Sequence, residues 1–539
     1  MWVVLKFGGT SVSTVPRWQC ICNRVAQIRA ESTDVRVWVV ISALSQVTNR
    51  LTQALTDAIS GTEHLKRYFE IFDQHIALAL EHHLVTAEQA GHLRETEHAA
   101  GVSPIAAATT VLDPLLHEFH NLRRVLDGIR LTEEASPRLK ARILAFGELL
   151  STHLGLEIMK QAGLGHVVRV DARNLLLSDA PTATTSEMDR FLEANVTPSI
   201  DTEGRLDAAA DGAVVVLTQG FIAGVATTTG TTTVETCVLG RGGSDTSGAL
   251  FAALLQATRY EIWTDVHGMY TSDPRYVPHA RLLRKLDYRE AQELAAMGAK
   301  VLHPRCIGPA HWANVPVEIR NTNDPDGEKT VIGHMEDSGS PKIMAVVRRM
   351  NMTLVTITAY GMCGTSGFLS KVFLPFETLG ISVDLIATSQ FSVSVTLDHI
   401  PGGVGGTSFT ALVQALEGLG AVSVIEPCAT VSIVGRHLRH SLGELGHLFE
   451  LLEGTEVLLL SESAEDLNLS FVVREDDADP LVQKMHAALF PPTALADIIG
   501  SPMRRSISRD DLLGSTWSDL RSPSLNSTVN NMTLPELKL

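Results

Sequence analysis

The sequence predicts an α/β protein with a mainly parallel sheet and helices on both faces, followed by a second region of smaller α+β modules. Over residues 1 to about 335, short apolar β-branched runs alternate with helical stretches, and strands separated by helices are joined by the crossover connections of parallel sheets. After a polar, turn-rich break at residues 334–341, the elements become shorter and more closely spaced. A chain of 539 residues has room for about two to four domains.

The strands of the first region are predicted from their composition. Val3, Val4 and Leu5 form a short apolar run within residues 2–7, which is typical of a buried strand. The same pattern predicts strands at residues 35–42, 167–171, 213–219, 260–264 and 317–320. A long helix is predicted over residues 138–160 because apolar side chains recur there at spacings of three and four. Glu148 lies off this apolar ridge, on a strip with Ser151 and Gly155, whose small side chains are expected to leave room for a ligand.

The second region contains two similar sets of elements. The first has strands at residues 352–358, 382–388, 392–398 and 422–426, with helices at 366–379 and 409–418. The second has strands at 429–434, 457–461 and 467–472, with helices from about 440 and at 479–490. Each set has a βαββαβ-like order, as in ferredoxin-like modules. Residues 491–539 are rich in serine and asparagine and are predicted to be mostly disordered.

Composition excludes several classes of protein. The formal net charge of −17 argues against nucleic acid or an anionic membrane as a partner. No uninterrupted apolar run reaches the roughly 20 residues that span a bilayer, and no signal peptide precedes the first strand. Six cysteines without a CxxC pattern predict neither disulfides nor a zinc site. We therefore expect a cytoplasmic protein without a protein-bound metal centre of this kind.

The stretch VVLKFGGTSV at residues 3–12 is the first candidate for chemistry. Lys6 ends the predicted strand, while Gly8 and Gly9 allow the backbone to turn and to approach a ligand before a helix begins near Ser13. Free amides at a helix start, with a lysine beside them, favour an anion such as phosphate. The same residues also suit an ordinary strand-to-helix corner. Neither a Walker A loop nor the GxGxxG loop of protein kinases is present.

Four further motifs follow in the chain: FGELLS at 146–151, LGRGGSDTSG at 239–248, EIWTDVHGMYTSDPR at 261–275 and GAKVLHPR at 298–305. Together with KFGGTSV, in this order, they resemble the aspartokinases of the amino-acid kinase family, over about residues 1–490. The resemblance implies an amino-acid kinase fold at 1–335 and two interleaved ACT domains at 343–490, with residues 343–349 giving a strand to the second ACT domain. It also implies transfer of the ATP γ-phosphate to the β-carboxylate of L-aspartate with Mg²⁺, the first step towards lysine, threonine and methionine.

The resemblance also implies roles for individual residues. Lys6 contacts the transferring phosphate, and Asp245 orients Lys6 and helps to hold Mg²⁺. A carboxylate substrate has no proton to lose, so Asp245 is not expected to act as a general base. Arg241 grips the substrate α-carboxylate, and Glu148 pairs with its ammonium group. The implied substrate-binding set is Ser42, Thr48, Glu148, Arg241 and Ser244.

The nucleotide site is implied by a second group of matching positions. Tyr270 would stack on or edge the adenine or ribose, while Arg275 and Lys300 would bring positive charge towards the phosphates. The full implied set is Lys6, Gly8, Gly9, Thr264, Asp265, Tyr270, Arg275 and Lys300.

The ACT half is expected to bind an end-product amino acid at a dimer interface, with lysine favoured over threonine. Residues 361–369 form a glycine-rich loop before a helix, whose free amides suit an α-carboxylate. The positions matching the effector site of lysine-sensitive aspartokinases are Met362, Thr365, Val383 and Asp384. A homodimer or larger homo-oligomer through the ACT domains is implied. The alternative is that these modules serve only as a dimer scaffold.

Three positions depart from the usual aspartokinase pattern. Gln46 replaces a common glycine, His267 replaces a common proline, and Cys237 occupies a position where threonine is frequent. Two other functions stay open at this point: another amino-acid kinase such as glutamate 5-kinase, and a catalytically inactive amino-acid sensor. Loss of Lys6, Arg241 or Asp245 would have favoured the sensor, but all three are present.

Overall fold

The first strand, Trp2–Phe7, is buried along its whole length and lies inside an eight-stranded sheet. The computed structural model of the chain describes residues 1–98, 111–182, 185–201, 204–225, 235–299, 301–335, 342–441, 446–491 and 499–502. Within these ranges, no helix is both long enough and apolar enough to cross a membrane.

The described strands are, in chain order, β1 Trp2–Phe7, β2 Arg36–Ile41, β3 Val167–Val170, β4 Val215–Gln219, β5 Ile222–Val225, β6 Glu235–Val238, β7 Arg259–Thr264, β8 Arg281–Leu283, β9 Lys285–Leu286, β10 Val317–Asn321, β11 Thr330–Ile332, β12 Lys342–Thr358, β13 Ile386–Thr388, β14 Ser392–Leu397, β15 Ala421–Arg436, β16 Val457–Glu462, β17 Asn468–Arg474 and β18 Ile499–Pro502.

The described α-helices are α1 Val15–Glu31, α2 Val47–Ile59, α3 His64–Glu81, α4 Ala87–His98, α5 Asp113–Thr132, α6 Pro137–Gln161, α7 Glu187–Phe191, α8 Arg205–Ala210, α9 Gly243–Leu254, α10 Tyr288–Ala296, α11 Ile307–Trp312, α12 Phe368–Thr378, α13 Thr407–Glu417, α14 Leu438–Ser441, α15 Gly446–Glu450 and α16 Glu475–Leu489.

The large sheet has the order β3-β4-β2-β1-β7-β10-β11-β9. Strands β3, β4, β2, β1, β7 and β10 pair in parallel, and β11 pairs antiparallel to β10. The prediction of a mainly parallel sheet is therefore confirmed, and each of its six predicted strands is found within two residues of its predicted ends. Their continuous apolar runs reflect burial on both faces.

The second sheet is antiparallel and has the order β13-β14-β12-β15-β17-β16. Strand β12 serves both halves of it. Its first part, up to Arg349, pairs with the end of β15, while its last six residues pair with β14 and with the start of β15. Asn351 lies between the two parts at φ 59, and the register shifts on either side of Met352. One ladder thus joins two modules that have separate apolar cores.

Two predictions about this sheet were wrong in detail. The strands expected at 422–426 and 429–434 form the single strand β15, because both parts pair with the long β12. The strand expected at 382–388 is regular only over β13. Just before it, the Asp384 amide donates to the Thr396 carbonyl, and the Leu385 amide donates to the Thr396 hydroxyl, each at 2.9 Å. The Thr396 hydroxyl therefore takes the place of a backbone carbonyl as the acceptor for the Leu385 amide.

The segment predicted as a disordered tail is described at only a few positions. Ile499–Pro502 forms β18, which pairs antiparallel with β8. The composition of the tail did not predict β18. Residues 492–498 and 503–539 lie outside the described residues.

Candidate active site

The carboxyl ends of β4, β2, β1 and β7 lie side by side at one edge of the parallel sheet. The chain moves from β1 to β2 on one side, and β7 is added on the other side of β1. Such a reversal of strand order leaves a crevice beyond the strand ends, where α/β proteins bind ligands. Most of the residues predicted for catalysis and substrate binding follow these strands.

Lys6 and Asp245 meet in this crevice. Lys6 is the last residue but one of β1, Asp245 lies in the first turn of α9, and the Lys6 Nζ is 2.5 Å from the Asp245 Oδ1. Both side chains are largely buried, with exposures of 10% and 15%. The Tyr260 hydroxyl donates to the Asp245 carbonyl at 2.9 Å, and Gly248 has no side chain because the Tyr260 ring occupies that space. The ammonium group is thus fixed where an anion can reach it.

The two glycines after β1 bring bare backbone close to other groups, and Gly9 is required by a close contact. A Cβ on Gly9 would lie 2.7 Å from the Ala43 carbonyl oxygen, so the loop after β1 touches the loop after β2. The Ser45 amide donates to the Ser13 hydroxyl at 2.8 Å and links the same two loops. A Cβ on Gly8 would lie 3.6 Å from the Lys6 Nζ. The Lys6 ammonium therefore lies beside bare backbone, as the predicted phosphate cradle requires.

Glu148 projects from α6 and is 3% exposed. Its Oε1 accepts a hydrogen bond from the Ala43 amide at 3.1 Å, while its Oε2 is buried and has no hydrogen-bond partner among the described residues. Burial raises the pKa of this carboxyl to about 8, although the Ala43 amide opposes the rise. An unsatisfied buried carboxylate oxygen is costly unless a ligand pairs with it. Glu148 is thus suited to receive a cation.

One sequence argument about Glu148 was wrong. The small residues Ser151 and Gly155, on the same strip of α6, were expected to leave room for a ligand. Instead, a Cβ on Gly155 would lie 2.6 Å from the Trp18 ring, so the glycine accommodates a core tryptophan. The Ser151 hydroxyl donates to the Ser42 carbonyl at 2.9 Å. Both small residues pack α6 against the sheet, and only the Glu148 carboxyl lacks a full set of partners.

The other predicted substrate residues lie around the same edge. Ser42 follows β2, and its amide donates to the Phe7 carbonyl at 3.2 Å. Thr48 is half-buried in the first turn of α2. Ser244 packs against the loop after β4, where a Cβ on Gly220 would lie 2.8 Å from the Ser244 Cβ. Arg241 is exposed in the turn before α9, with no ion pair among the described residues.

Sequence reasoning gave no role to His303, which fixes the turn that carries Arg241. Gly242 has φ 66, and a Cβ there would lie 2.2 Å from the His303 Cβ. The Arg305 guanidinium donates to the Leu239 carbonyl at 3.0 Å. Residues 303–305 belong to the motif identified at 298–305. Their support of the turn before α9, however, depends on a contact between segments that are far apart in the chain.

The predicted nucleotide residues differ in their exposure to solvent. Thr264 ends β7 and donates to Asp265 at 3.1 Å, and Asp265 is exposed. Arg275 forms an ion pair with Asp273 at 2.6 Å, which raises its pKa. Tyr270 is 6% exposed and packs in the core of the second ACT module, and burial raises its pKa to about 12. The structure therefore gives Tyr270 a packing role, and its contact with a nucleotide stays a prediction. The predicted Lys300 lies outside the described residues.

The predicted effector residues lie on the first ACT module. Met362 and Val383 pack against the same apolar core, and Thr365 is exposed, with its hydroxyl donating to the Gly361 carbonyl at 2.6 Å. Asp384 forms an ion pair with Arg349 at 2.8 Å. Burial raises the pKa of Asp384, while Arg349 opposes this. Sequence reasoning missed Arg349, which belongs to β12 and reaches Asp384 only through the fold.

Two of the departures from the family pattern have clear structural consequences. Gln46 adopts φ 67 just before α2, a left-handed conformation that explains why glycine is common there. The His267 ring is hydrogen-bonded to the Asp324 carboxylate at 3.0 Å, which ties the turn after β7 to the loop after β10. The third departure, Cys237, is fully buried in β6.

Sequence comparison with known proteins identifies the family. The amino acid kinase family profile matches residues 1–321, and an ACT domain profile matches residues 431–489. Lysine-sensitive aspartokinase 3 of Escherichia coli (strain K12) is 33% identical over 501 residues, which cover 90% of this chain and 99% of that protein. The chain belongs to the aspartokinases of the amino acid kinase family. Another aspartokinase, the chloroplastic aspartokinase 2 of Arabidopsis thaliana, is 31% identical over 498 residues, covering 90% of this chain and 84% of that protein.

Solved aspartokinase structures show the same fold. Escherichia coli aspartokinase III in complex with aspartate and ADP (R-state) matches with a TM-score of 0.72 at 31% identity, covering 91% of this chain and 100% of that chain. The complex of aspartokinase III with lysine and aspartate (T-state) matches with a TM-score of 0.65 at 31% identity, covering 90% and 99% of the two chains. The expected amino-acid kinase fold with ACT domains is confirmed.

Proposed function

We propose that this chain is an ATP-dependent aspartate kinase that converts ATP and L-aspartate into ADP and 4-phospho-L-aspartate. The observation that carries the proposal is the pairing of Lys6 with Asp245 in the same crevice as the unsatisfied Glu148 carboxyl. The crevice thus offers a fixed cation for a phosphate and a buried carboxyl that, when ionised, can pair with an amino-acid ammonium group. The relatives named aspartokinase, and the aspartokinase III complex with aspartate and ADP, support the choice of substrates.

In the proposed reaction, an oxygen of the substrate β-carboxylate attacks the γ-phosphorus, and the bond to the β–γ bridging oxygen breaks. The nucleophile is already ionised at neutral pH, so positioning and charge stabilisation are the main requirements. Lys6 lies beside the bare backbone of Gly8 and can stabilise charge on the transferring group. Glu148 would bind the ammonium group of the aspartate substrate, and Arg241 would bind its α-carboxylate.

Mg²⁺ is part of this proposal. The Asp245 carboxylate is a hard oxygen ligand of the kind that Mg²⁺ prefers, and it lies in the first turn of α9 beside Lys6. When bound, the ion would neutralise charge on the ATP phosphates. A role for Asp245 in holding the ion is compatible with its second role, which is to orient Lys6.

A coupled assay of ADP release tests the substrate. With aspartate, glutamate and N-acetylglutamate offered separately at equal concentration, we expect turnover with aspartate at least about tenfold above the other two, because a substrate differing by one methylene group is misplaced in a fitted site. Preference for glutamate would support glutamate 5-kinase instead. No turnover with any of them would favour the amino-acid sensor.

The Arg241→Lys variant tests the carboxylate grip. Lysine keeps the charge but cannot form the two parallel hydrogen bonds of a guanidinium, so we expect the KM for aspartate to rise about tenfold or more, with the KM for ATP within about twofold of wild type. The exposed Arg142, on the same helix as Glu148, provides a control as Arg142→Lys. A rise confined to the KM for ATP would assign Arg241 to the nucleotide.

The pKa of Glu148 predicts how aspartate binding depends on pH. Only the ionised carboxylate attracts an ammonium group, and this carboxyl has a pKa of about 8 before substrate binds. We therefore expect the KM for aspartate to fall by about 25-fold as pH rises from about 6.5 to 8.5, while the KM for ATP changes little. Glu148→Gln should have a higher KM that no longer follows pH. A flat wild-type profile would contradict the assignment.

Regulation, assembly and location complete the proposal. We propose lysine as the effector of the ACT half, since aspartokinase III forms a complex with lysine and aspartate in its T-state. Association of two or more copies through the ACT domains and a cytoplasmic location are proposed as well. Light scattering on the purified chain, with and without lysine, tests the association, and cell fractionation tests the location.

A further inference from the structure

Two histidines and an aspartate meet at one end of the second ACT module, away from the active site. His437 directly follows β15, His440 lies in α14, and Asp466 lies in the turn between β16 and β17. One ligand atom from each, an imidazole nitrogen or a carboxylate oxygen, lies within 4.8 Å of the other two. We propose that His437, His440 and Asp466 bind a divalent transition-metal ion, and that Zn²⁺ is the ion that fits them best.

The donor set selects the class of metal. Two imidazoles and one carboxylate are typical ligands of zinc, with a fourth position left for water, whereas Mg²⁺ and Ca²⁺ prefer oxygen ligands throughout. With bonds of about 2.0–2.1 Å, tetrahedral ligand atoms lie about 3.3 Å apart. Since no two of these ligand atoms are more than 4.8 Å apart, each spacing would need to shorten by at most about 1.5 Å. The exposed His440 side chain can supply this by rotation.

The backbone already directs the three side chains towards one another. His437 and Asp466 both adopt left-handed conformations, at φ 53 and φ 61, which are uncommon for residues other than glycine. The His437 and His440 rings lie 6.2 Å apart between centroids. The Asp466 Oδ1 accepts a hydrogen bond from the Arg439 amide at 2.8 Å, which holds the carboxylate against the histidine segment. A carboxylate has a second oxygen that can bind a metal.

The charges around this cluster favour a cation. The nearby guanidinium of Arg439 is paired with Glu462 at 2.5 Å, and Arg436 is paired with Glu290. Their positive charges are therefore largely compensated. Glu465 is exposed, and together with His437 it lines a cavity of about 70 Å³ that faces the kinase region. The Glu465 carboxylate adds negative charge next to the proposed ligands.

The position of the site indicates what an ion would do. It would link the end of β15 to the β16–β17 turn, next to two contacts that join this module to α10. One is the Arg436–Glu290 ion pair, and the other is a hydrogen bond from Asn468 to Glu293. Because binding to the folded state alone stabilises that state, we expect Zn²⁺ to raise the melting temperature, with little effect on turnover.

The test is calorimetric titration of the full chain with Zn²⁺ in excess Mg²⁺, which occupies oxygen-rich sites. The parent chain and every variant carry Cys363→Ser, because Cys363 is an exposed thiol that could itself bind Zn²⁺. We expect one site per chain with a micromolar or lower Kd. Because His440 is exposed, His440→Ala should fold normally and raise the Kd at least about tenfold, while His437→Ala/His440→Ala should lose the site. The exposed His92 of α4 gives the matched control His92→Ala, which should bind as wild type.

Two further measurements separate a specific site from surface binding. Zn²⁺ should raise the melting temperature of the Cys363→Ser chain but not that of the same chain carrying His437→Ala/His440→Ala, and Co²⁺ in place of Zn²⁺ should give the visible absorption of a four-coordinate site only in the Cys363→Ser chain. Equal binding by the double variant and its parent, or no binding at micromolar Zn²⁺, would overturn the proposal. Neither result depends on kinase activity, so failure of the proposed aspartate kinase function would be seen separately.

Discussion

The Lys6→Ala variant is expected to lose about two to three orders of magnitude in kcat while its fold is retained. Lys6 lies at the end of a buried strand, but its ammonium group faces Asp245 and the glycine loop rather than an apolar core. Removing one fixed charge that stabilises a transition state typically costs about 3–4 kcal/mol. Steady-state kinetics at saturating ATP and aspartate measure the loss, and thermal unfolding checks the fold.

A second variant separates charge loss from disturbance of Asp245. Lys6→Ala leaves Asp245, which is 15% exposed, without its cation, so the carboxylate can repel the phosphates. In Lys6→Ala/Asp245→Asn this repulsion is absent, and we still expect a loss of at least about a hundredfold. Asp245→Asn alone measures the part of that loss that comes from the proposed Mg²⁺ ligand, and the double variant should fall further because the Lys6 cation is missing as well. Lys160→Ala changes a lysine on the surface of α6 and should leave kcat unchanged. If Lys6→Ala kept more than about a third of wild-type kcat, Lys6 would have no part in the mechanism.

The Asp384→Ala variant is expected to lose most of its inhibition by lysine. A charged hydrogen bond to the effector ammonium group contributes about 1.5–3 kcal/mol, so the lysine concentration for half inhibition should rise at least about tenfold. Without lysine, kcat and both KM values should match wild type, since Asp384 belongs to the first ACT module. Titrations with lysine and with threonine, on wild type and variant, measure the effect.

The structure supplies a matched control for this experiment. Arg349 is paired with Asp384 at 2.8 Å and with Asp398 at 2.6 Å, so Asp398→Ala disturbs the same arginine without removing the predicted effector ligand. It should retain inhibition within about twofold. Inhibition of Asp384→Ala at wild-type lysine concentrations would move the effector site elsewhere. A wild-type enzyme unaffected by millimolar lysine and threonine would contradict regulation by either.

Inhibition through a distant module requires that the effector bind the inactive state better than the active one. The described contacts show one route by which the halves touch. The Val346 amide of β12 donates to the Thr271 carbonyl at 2.8 Å, and the Thr271 hydroxyl bonds to His486 of α16 at 2.8 Å. Thr271 directly follows Tyr270, a predicted nucleotide residue. A change in the ACT half can therefore reach the turn after β7.

Much of the fold could be predicted from the sequence because its signals are local. Strands buried on both faces have continuous apolar runs, so β1, β2 and β7 were predicted within about one residue of their ends. The KFGG motif predicted bare backbone beside the Lys6 ammonium, and the structure has Gly8 there, since this is a property of adjacent residues. Phosphate binding at this point stays a prediction. The interleaving of the ACT halves came from family resemblance, and the register of β12 agrees with it.

What the sequence could not supply depends on contacts between segments far apart in the chain. Residue spacing on α6 placed Ser151, Gly155 and Glu148 on one strip, but only packing decided that Trp18 fills the space at Gly155. Packing also decided that one buried oxygen of Glu148 has no hydrogen-bond partner in the described part of the chain. A small residue permits either a ligand or a neighbouring side chain, and local pattern does not distinguish them.

The same limit applies to the two charged sites of the ACT half. Asp384 was predicted as a ligand from its motif, yet its present partner, Arg349, is brought to it by the pairing of β12 with β14. His437 and His440 are close in sequence, but Asp466 joins them only because β15 pairs with β17. The sequence by itself determined the elements and the chemistry of the phosphate motif. The tertiary structure decided which charges meet, because strand order and register set the distances between remote side chains.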